Sequence, residues 1–242
     1  MKTKMIEKYK TTHEIKEIVE RLGNSLMREG SHGYGKFRAI PIRCAAQQQA
    51  ENFANGEGRN AAIVVMEVVL AANRDFNRQV AKHIQNVKEH YPSLTFEELN
   101  KMLSKMDYTE FAKVWGHKDE KKYKTLKELV KQILEIQSSH PSLNDFETMT
   151  MWAKQANPVC RKKDSLGRIA NVGLATFQHL RIAFGINTVK PDQRVREVLT
   201  NEFGAKLSAD KTIVAVEEIA EITGYTIIVI EQIFVKYGSG YY

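Results

Sequence analysis

Residues 165–199 read SLGRIANVGLATFQHLRIAFGINTVKPDQRVREVL, and the order of apolar, turn and helix-starting residues in this stretch decides the fold. It opens with apolar Leu166 and Ile169. Asn171-Val172-Gly173 then predicts a tight turn, because Asn and Gly tolerate the left-handed backbone that a sharp reversal uses. An apolar-rich helical stretch over 174–184 follows, broken by Gly185. A short extended piece, 186–190, leads to Pro191-Asp192 and a new helix. Gly173 stands where the helix over 174–184 begins, and the first amides of a helix have no partner inside it. Those N–H groups, with the positive end of the helix dipole, form a site for phosphate. Such a contact holds a nucleic-acid backbone without reading its bases. Taken alone, the turn reads equally well as a plain helix-turn-helix corner.

The rest of the chain supplies a core and a basic surface. The 242 residues are 43% hydrophobic and carry a formal net charge of +7. That length suits one domain or two subdomains, and the charge favours a polyanionic partner. The two cysteines, Cys44 and Cys160, are too few for a disulfide framework or a four-cysteine cluster. With seven scattered histidines they offer no metal-ligand spacing, so no metal site is expected. No long apolar run or secretory leader is read. The expectation is therefore a monomer without a membrane partner, intracellular and either cytoplasmic or nucleoid-associated.

Upstream of the turn, helical patterns dominate. Ile15, Ile18, Val19 and Leu22 recur at helical spacing. GSHGYG at 30–35 ends that pattern, as a loop after a helix end or as a phosphate loop, and 37–54 is left unassigned. AAIVVMEVVLAA, 61–72, is apolar on nearly every face and predicts a buried helix despite its valines. Asp75 is a candidate N-cap for a helix over 76–90. Thr95 with Glu98 makes a capping box for the next helix. A short helix and turn over 108–116 and a long amphipathic helix over 120–136 follow. Pro-Ser-Leu at Pro92 and again at Pro141 reads as punctuation before helix starts. Five or six consecutive helices with short links make the chain all-α. Near the end, TIIVIEQIFVKYG has strand propensity. Ile227, Ile230, Ile233 and Phe234 nevertheless share a helical face, and Gly238 makes a natural stop, so it is read as helix.

This succession, with the turn at 171–173 and with Pro191-Asp192 beyond it, resembles the helix-hairpin-helix DNA glycosylase superfamily, the endonuclease III-like enzymes. The likeness runs from about residue 61 to 192 and on to the end. It implies a glycosylase-like fold of two helical subdomains. Residues 1–60 would pack with the C-terminal helices, 61–192 would carry the helix-hairpin-helix at 165–184, and 193–242 would complete the first subdomain. The C-terminal helices would be 193–203, 209–223 and 226–237.

The resemblance further implies base-excision repair. A damaged or mismatched base would be flipped out of duplex DNA and its N-glycosidic bond hydrolysed. Asp192 falls on the catalytic carboxylate. A carboxylate there can stabilise positive charge developing on the sugar and orient or deprotonate the attacking water. Capping a helix from Gln193 is a compatible second role. Asn171, Val172, Gly173, Ala175 and Thr176 fall on the DNA-gripping hairpin, and Asn73 on a loop residue that enters the duplex. Trp115-Gly116 falls on an apolar-Gly turn followed by a basic helix, here 121–131. Lys190 is expected to contact phosphate. Trp115, Tyr108 and Phe177 are candidates for the base pocket, with the core as the competing place for aromatics at helical spacing.

The departures from the family's pattern are informative. Ala175 occupies the place of the lysine that forms a Schiff base in strand-cutting members. The expectation is a monofunctional glycosylase without lyase activity, with Lys190 the alternative amine. Asn171 replaces the first hairpin glycine, and Phe177 a small residue of the second helix. The cysteine loop is absent, so no iron–sulfur cluster is expected; the resemblance allows a monovalent cation at the hairpin. Two other classes stay open. One is a non-catalytic helix-hairpin-helix protein that binds duplex DNA. The other is a helical RNA-binding protein, which would prefer single strands or A-form helices.

Overall fold

The structure is a computed structural model that describes residues 4–29, 38–54, 59–72 and 80–240. Among these, the chain forms α1 (Thr12–Asn24), β1 (Leu26–Glu29), β2 (Arg38–Pro41), α2 (Ile42–Ala54), α3 (Ala61–Ala71) and α4 (Ala81–His90). It continues through α5 (Phe96–Lys105), α6 (Tyr108–Trp115), α7 (Glu120–Ser138), α8 (Asp145–Gln155) and α9 (Leu174–Ala183). It ends with α10 (Gln193–Phe203), α11 (Ala209–Thr223) and α12 (Ile227–Gly238). The described chain is thus mostly helical. No helix among the described residues is long and apolar enough to cross a membrane.

The chain divides into two units, Met1–Asn55 with Asn187–Tyr242, and Gly56–Ile186. The divisions fall at Gly56 and Asn187 rather than at 61 and 193. Arg59 is one reason for the first, since its guanidinium donates to the Ala183 carbonyl at 3.3 Å within the second unit.

In the first unit, α1 starts at a capping box: the Thr11 hydroxyl accepts from the Glu14 amide, and the Glu14 carboxylate accepts from the Thr11 amide at 2.8 Å. Ile15, Val19 and Leu22 are buried on its inner face. The antiparallel pair β1–β2, with Leu26 opposite Pro41, was not foreseen from sequence. Four-residue strands are too short to show an alternating pattern. In α2, Ile42, Ala46, Ala50 and Phe53 recur at helical spacing and bury one face. The Phe203 and Phe234 rings meet at 5.6 Å between α10 and α12.

α12 is a helix despite its β-branched composition. Thr226 caps it by accepting from the Val229 amide, and Ile230, Ile233 and Phe234 are fully buried. Burying a large apolar side chain stabilises by roughly 1.5–3 kcal/mol, which outweighs a propensity deficit of a few tenths per residue. Gly238 lies inside the last turn rather than beyond it, and an added Cβ would approach the Arg194 carbonyl at 3.2 Å.

The second unit is built around α3. The Asn60 side chain caps it by accepting from the Ile63 amide, and all of its residues but Glu67 are buried. Capping boxes at Thr95–Glu98 and Asn144–Glu147 start α5 and α8, each shortly after a Pro-Ser-Leu. Phe111 lies 5.2 Å from Trp115 and 5.7 Å from Tyr123, and Trp152 meets Phe177 edge-on at 5.4 Å. The loop at 30–35, the Asp75 cap and the start of the helix expected from 76 lie outside the described residues.

Candidate functional site

The turn at the start of α9 is fixed by Asn171. It has φ 68°, and it is the one non-glycine residue with positive φ among the described residues. Its side-chain amide donates to the Thr125 hydroxyl of α7 at 3.1 Å, and that hydroxyl donates to the Lys121 carbonyl at 2.8 Å. Asn thus supplies both the left-handed backbone and a brace to a neighbouring helix. Gly173 is different: its φ of −74° and ψ of 175° are extended, so the turn needs no glycine there for backbone reasons. A Cβ at Gly173 would meet nothing within 4 Å, and no side chain caps the start of α9. The missing side chain leaves open space beside uncapped amides. Val172 does not present its side chain, which is buried, while its amide donates to the Ile169 carbonyl at 3.1 Å. Ala175 and Thr176 are half-buried in the first turn of α9.

Residues 165–170 form turns, not the helix expected before the hairpin. Local side-chain bonds take the backbone groups that a helix would use. The Asp164 carboxylate accepts from the Leu166 and Gly167 amides, each at 2.9 Å, and from the Trp152 indole at 3.2 Å. The Arg161 guanidinium donates to the carbonyls of Gly167 at 2.7 Å and Val172 at 2.6 Å. Gly167 permits this closeness, since a Cβ there would strike the Arg161 carbonyl and come within 2.9 Å of the Phe177 ring.

Asp192 lies in the first unit and caps α10, its carboxylate accepting from the Val195 amide at 3.2 Å. Lys190 Nζ lies 3.4 Å from the other carboxylate oxygen, with the two side chains 19% and 23% exposed. A second acid was missed from sequence. Glu231 on α12 is buried, and its carboxylate group accepts from the Gln232 side-chain carboxamide at 2.6 Å. Burial, and after it the charge of Asp192, push its carboxyl up to about 8, so it holds a proton at neutral pH. Burial also lowers the Lys236 ammonium on the same helix. The signal was legible, since Glu231 is the one acid within the apolar run IIVIEQIF.

The aromatic candidates separate by burial. Trp115 and Phe177 are fully buried and pack in the core of the second unit, whereas Tyr108 at the start of α6 is 39% exposed. Asn73 lies outside the described residues. Both cysteines are exposed and unpaired. Among the described residues no three His, Cys, Asp or Glu side chains are grouped to hold a metal ion. No family model, curated protein or solved structure matches the chain.

Proposed function

We propose that the protein is a DNA glycosylase that grips the duplex through a turn and the helix after it, hydrolysing the N-glycosidic bond of a damaged or mismatched base flipped from duplex DNA. The observation that carries this reading is the Asn171 turn, a left-handed corner opening beside the uncapped first amides of α9. Amides so placed can hold a phosphate of the duplex. Asp192 would act on the sugar, stabilising the cation that develops as the bond breaks and orienting the water. The Lys190 ammonium pairs with that carboxylate at 3.4 Å. Glycosylase chemistry on a flipped base also needs a pocket, for which Tyr108 is the exposed aromatic candidate. Without a lysine at Ala175, the expected product is an abasic site in an intact strand.

A second reading, a non-catalytic duplex-binding protein, is favoured by the Asp192 carboxylate already serving as a helix cap. Release of free base separates the two. Duplexes carrying alkylated, oxidised, deaminated or mismatched bases are incubated with wild type and Asp192→Asn. Base release by wild type and its loss in the variant, with binding retained, supports the enzyme. Duplex binding without release of any base by either protein supports the binding module.

A further inference from the structure

A second surface of the Gly56–Ile186 unit carries features that the turn at 171–173 does not use. Val159 is 90% exposed, on a segment reading Asn157-Pro158-Val159-Cys160-Arg161-Lys162-Lys163. Single exposed apolar residues are ordinary on protein surfaces. This one stands on a braced support. The Asn157 carboxamide accepts from the Val159 amide at 2.9 Å, and the Asn157 carbonyl accepts from the Cys160 amide at 3.1 Å. Pro158 restricts the backbone further. The segment then closes a 3-10 turn over Arg161–Lys163, with Lys162 and Lys163 exposed.

The support reaches the Asn171 turn directly. Arg161 is spent on it, its guanidinium holding the Gly167 and Val172 carbonyls at 2.7 and 2.6 Å. Asp164 completes the clamp from the other end of the 3-10 turn through the Leu166 and Gly167 amides. Arg161 is therefore a structural cation, and Lys162 and Lys163 are the charges left facing solvent. A duplex that seats a phosphate at the start of α9 meets a turn held by Arg161, and Arg161 is preceded by exposed Val159 and followed by exposed Lys162 and Lys163. Phosphates attract lysines without sequence preference, and an apolar side chain beside them matches the sugar and groove edge of the same duplex.

We propose that Val159, Lys162 and Lys163 form a second contact with the duplex, Val159 against the sugar and groove edge and the two lysines on adjacent phosphates. This rests on the reading that the Asn171 turn binds duplex DNA. The test uses the full chain and an undamaged duplex, so no base need be identified. Affinity is measured across a salt series for wild type, Lys162→Ala/Lys163→Ala, Val159→Asp and Gly173→Lys, with melting curves checking the fold. Losing two phosphate contacts should make the slope of log affinity against log salt shallower by about 1.8. Val159→Asp should weaken binding by on the order of a hundredfold, the scale of a like charge set into an interface. If Gly173→Lys weakens binding while the other two variants keep wild-type affinity and slope, the second contact is refuted and the duplex reading stands. A slope change in the lysine variant without any effect of Val159→Asp refutes it too, reducing the patch to general attraction. If wild type binds no duplex, both readings fall together.

Discussion

The ammonium of Lys190 and the carboxylate of Asp192 stand 3.4 Å apart, two residues from each other on the segment leading into α10. A nucleophilic amine must be free to reach the sugar, and this one is engaged with a carboxylate. Lys190 is thus held in an ion pair, while on the proposed reading Ala175 falls on the lysine position of strand-cutting enzymes. Borohydride added during turnover should trap no protein–DNA adduct, and product strands should stay intact until alkali is added. A trapped adduct lost in Lys190→Ala would make Lys190 the amine and overturn this.

Asp192→Asn tests the carboxylate apart from the cap. Asn caps a helix about as well as Asp, so melting temperature should change little. Base release should fall by at least ~100-fold, the scale of losing a positioned acid–base group. A variant that is unstable as well as inactive would show that the Asp192 charge holds the fold, and would leave the catalytic role without support.

Gly173 and Gly167, six residues apart in sequence, should respond oppositely to substitution. At Gly173 the backbone is extended and a Cβ meets open space, so Gly173→Lys should fold normally. It should nevertheless bind duplex more weakly despite its added charge, because the side chain fills the approach to the α9 amides. At Gly167 the added Cβ of Gly167→Ala collides with backbone, and that variant should lose roughly 1–3 kcal/mol of stability. Thermal melts and duplex titrations of both variants check this; tighter binding by a folded Gly173→Lys protein would remove the turn from the interface.

The helices were legible where local signals agreed with burial. Thr95 with Glu98 and the apolar run at 61–72 needed only capping residues and period, whereas the bounds of α10 and α11 came from the resemblance. Asn171 was legible as a turn residue because few side chains tolerate its backbone angles. What was hidden depended on bonds between residues distant in pattern. Nothing local told that Arg161 and Asp164 would take the backbone groups of 165–170 and leave turns instead of a helix. Nor did spacing separate Trp115 and Phe177, which the core absorbs, from an exposed Tyr108. Glu231, the one acid in its apolar run, passed unread, because its significance came from folding, which sets it under the influence of Asp192.

Glu231 makes a prediction about pH. Its carboxyl is pushed from the ordinary 4.5 up to about 8 by burial and by the Asp192 charge. Between those values the folded protein keeps a proton that the unfolded chain has released. Rising pH in that window therefore favours unfolding. The stability linked to this proton is fully present below about 4.5 and is lost as pH rises through about 8. The loss is on the order of a few kcal/mol. Gln cannot ionise and mimics the protonated acid in size and polarity. Melting temperature of Glu231→Gln should consequently decline less than that of wild type between about pH 5 and pH 9, and should exceed it at the upper end. Parallel curves for the two proteins would mean that Glu231 is ionised in the fold, and its burial would then require a cationic partner that outweighs the repulsion from Asp192.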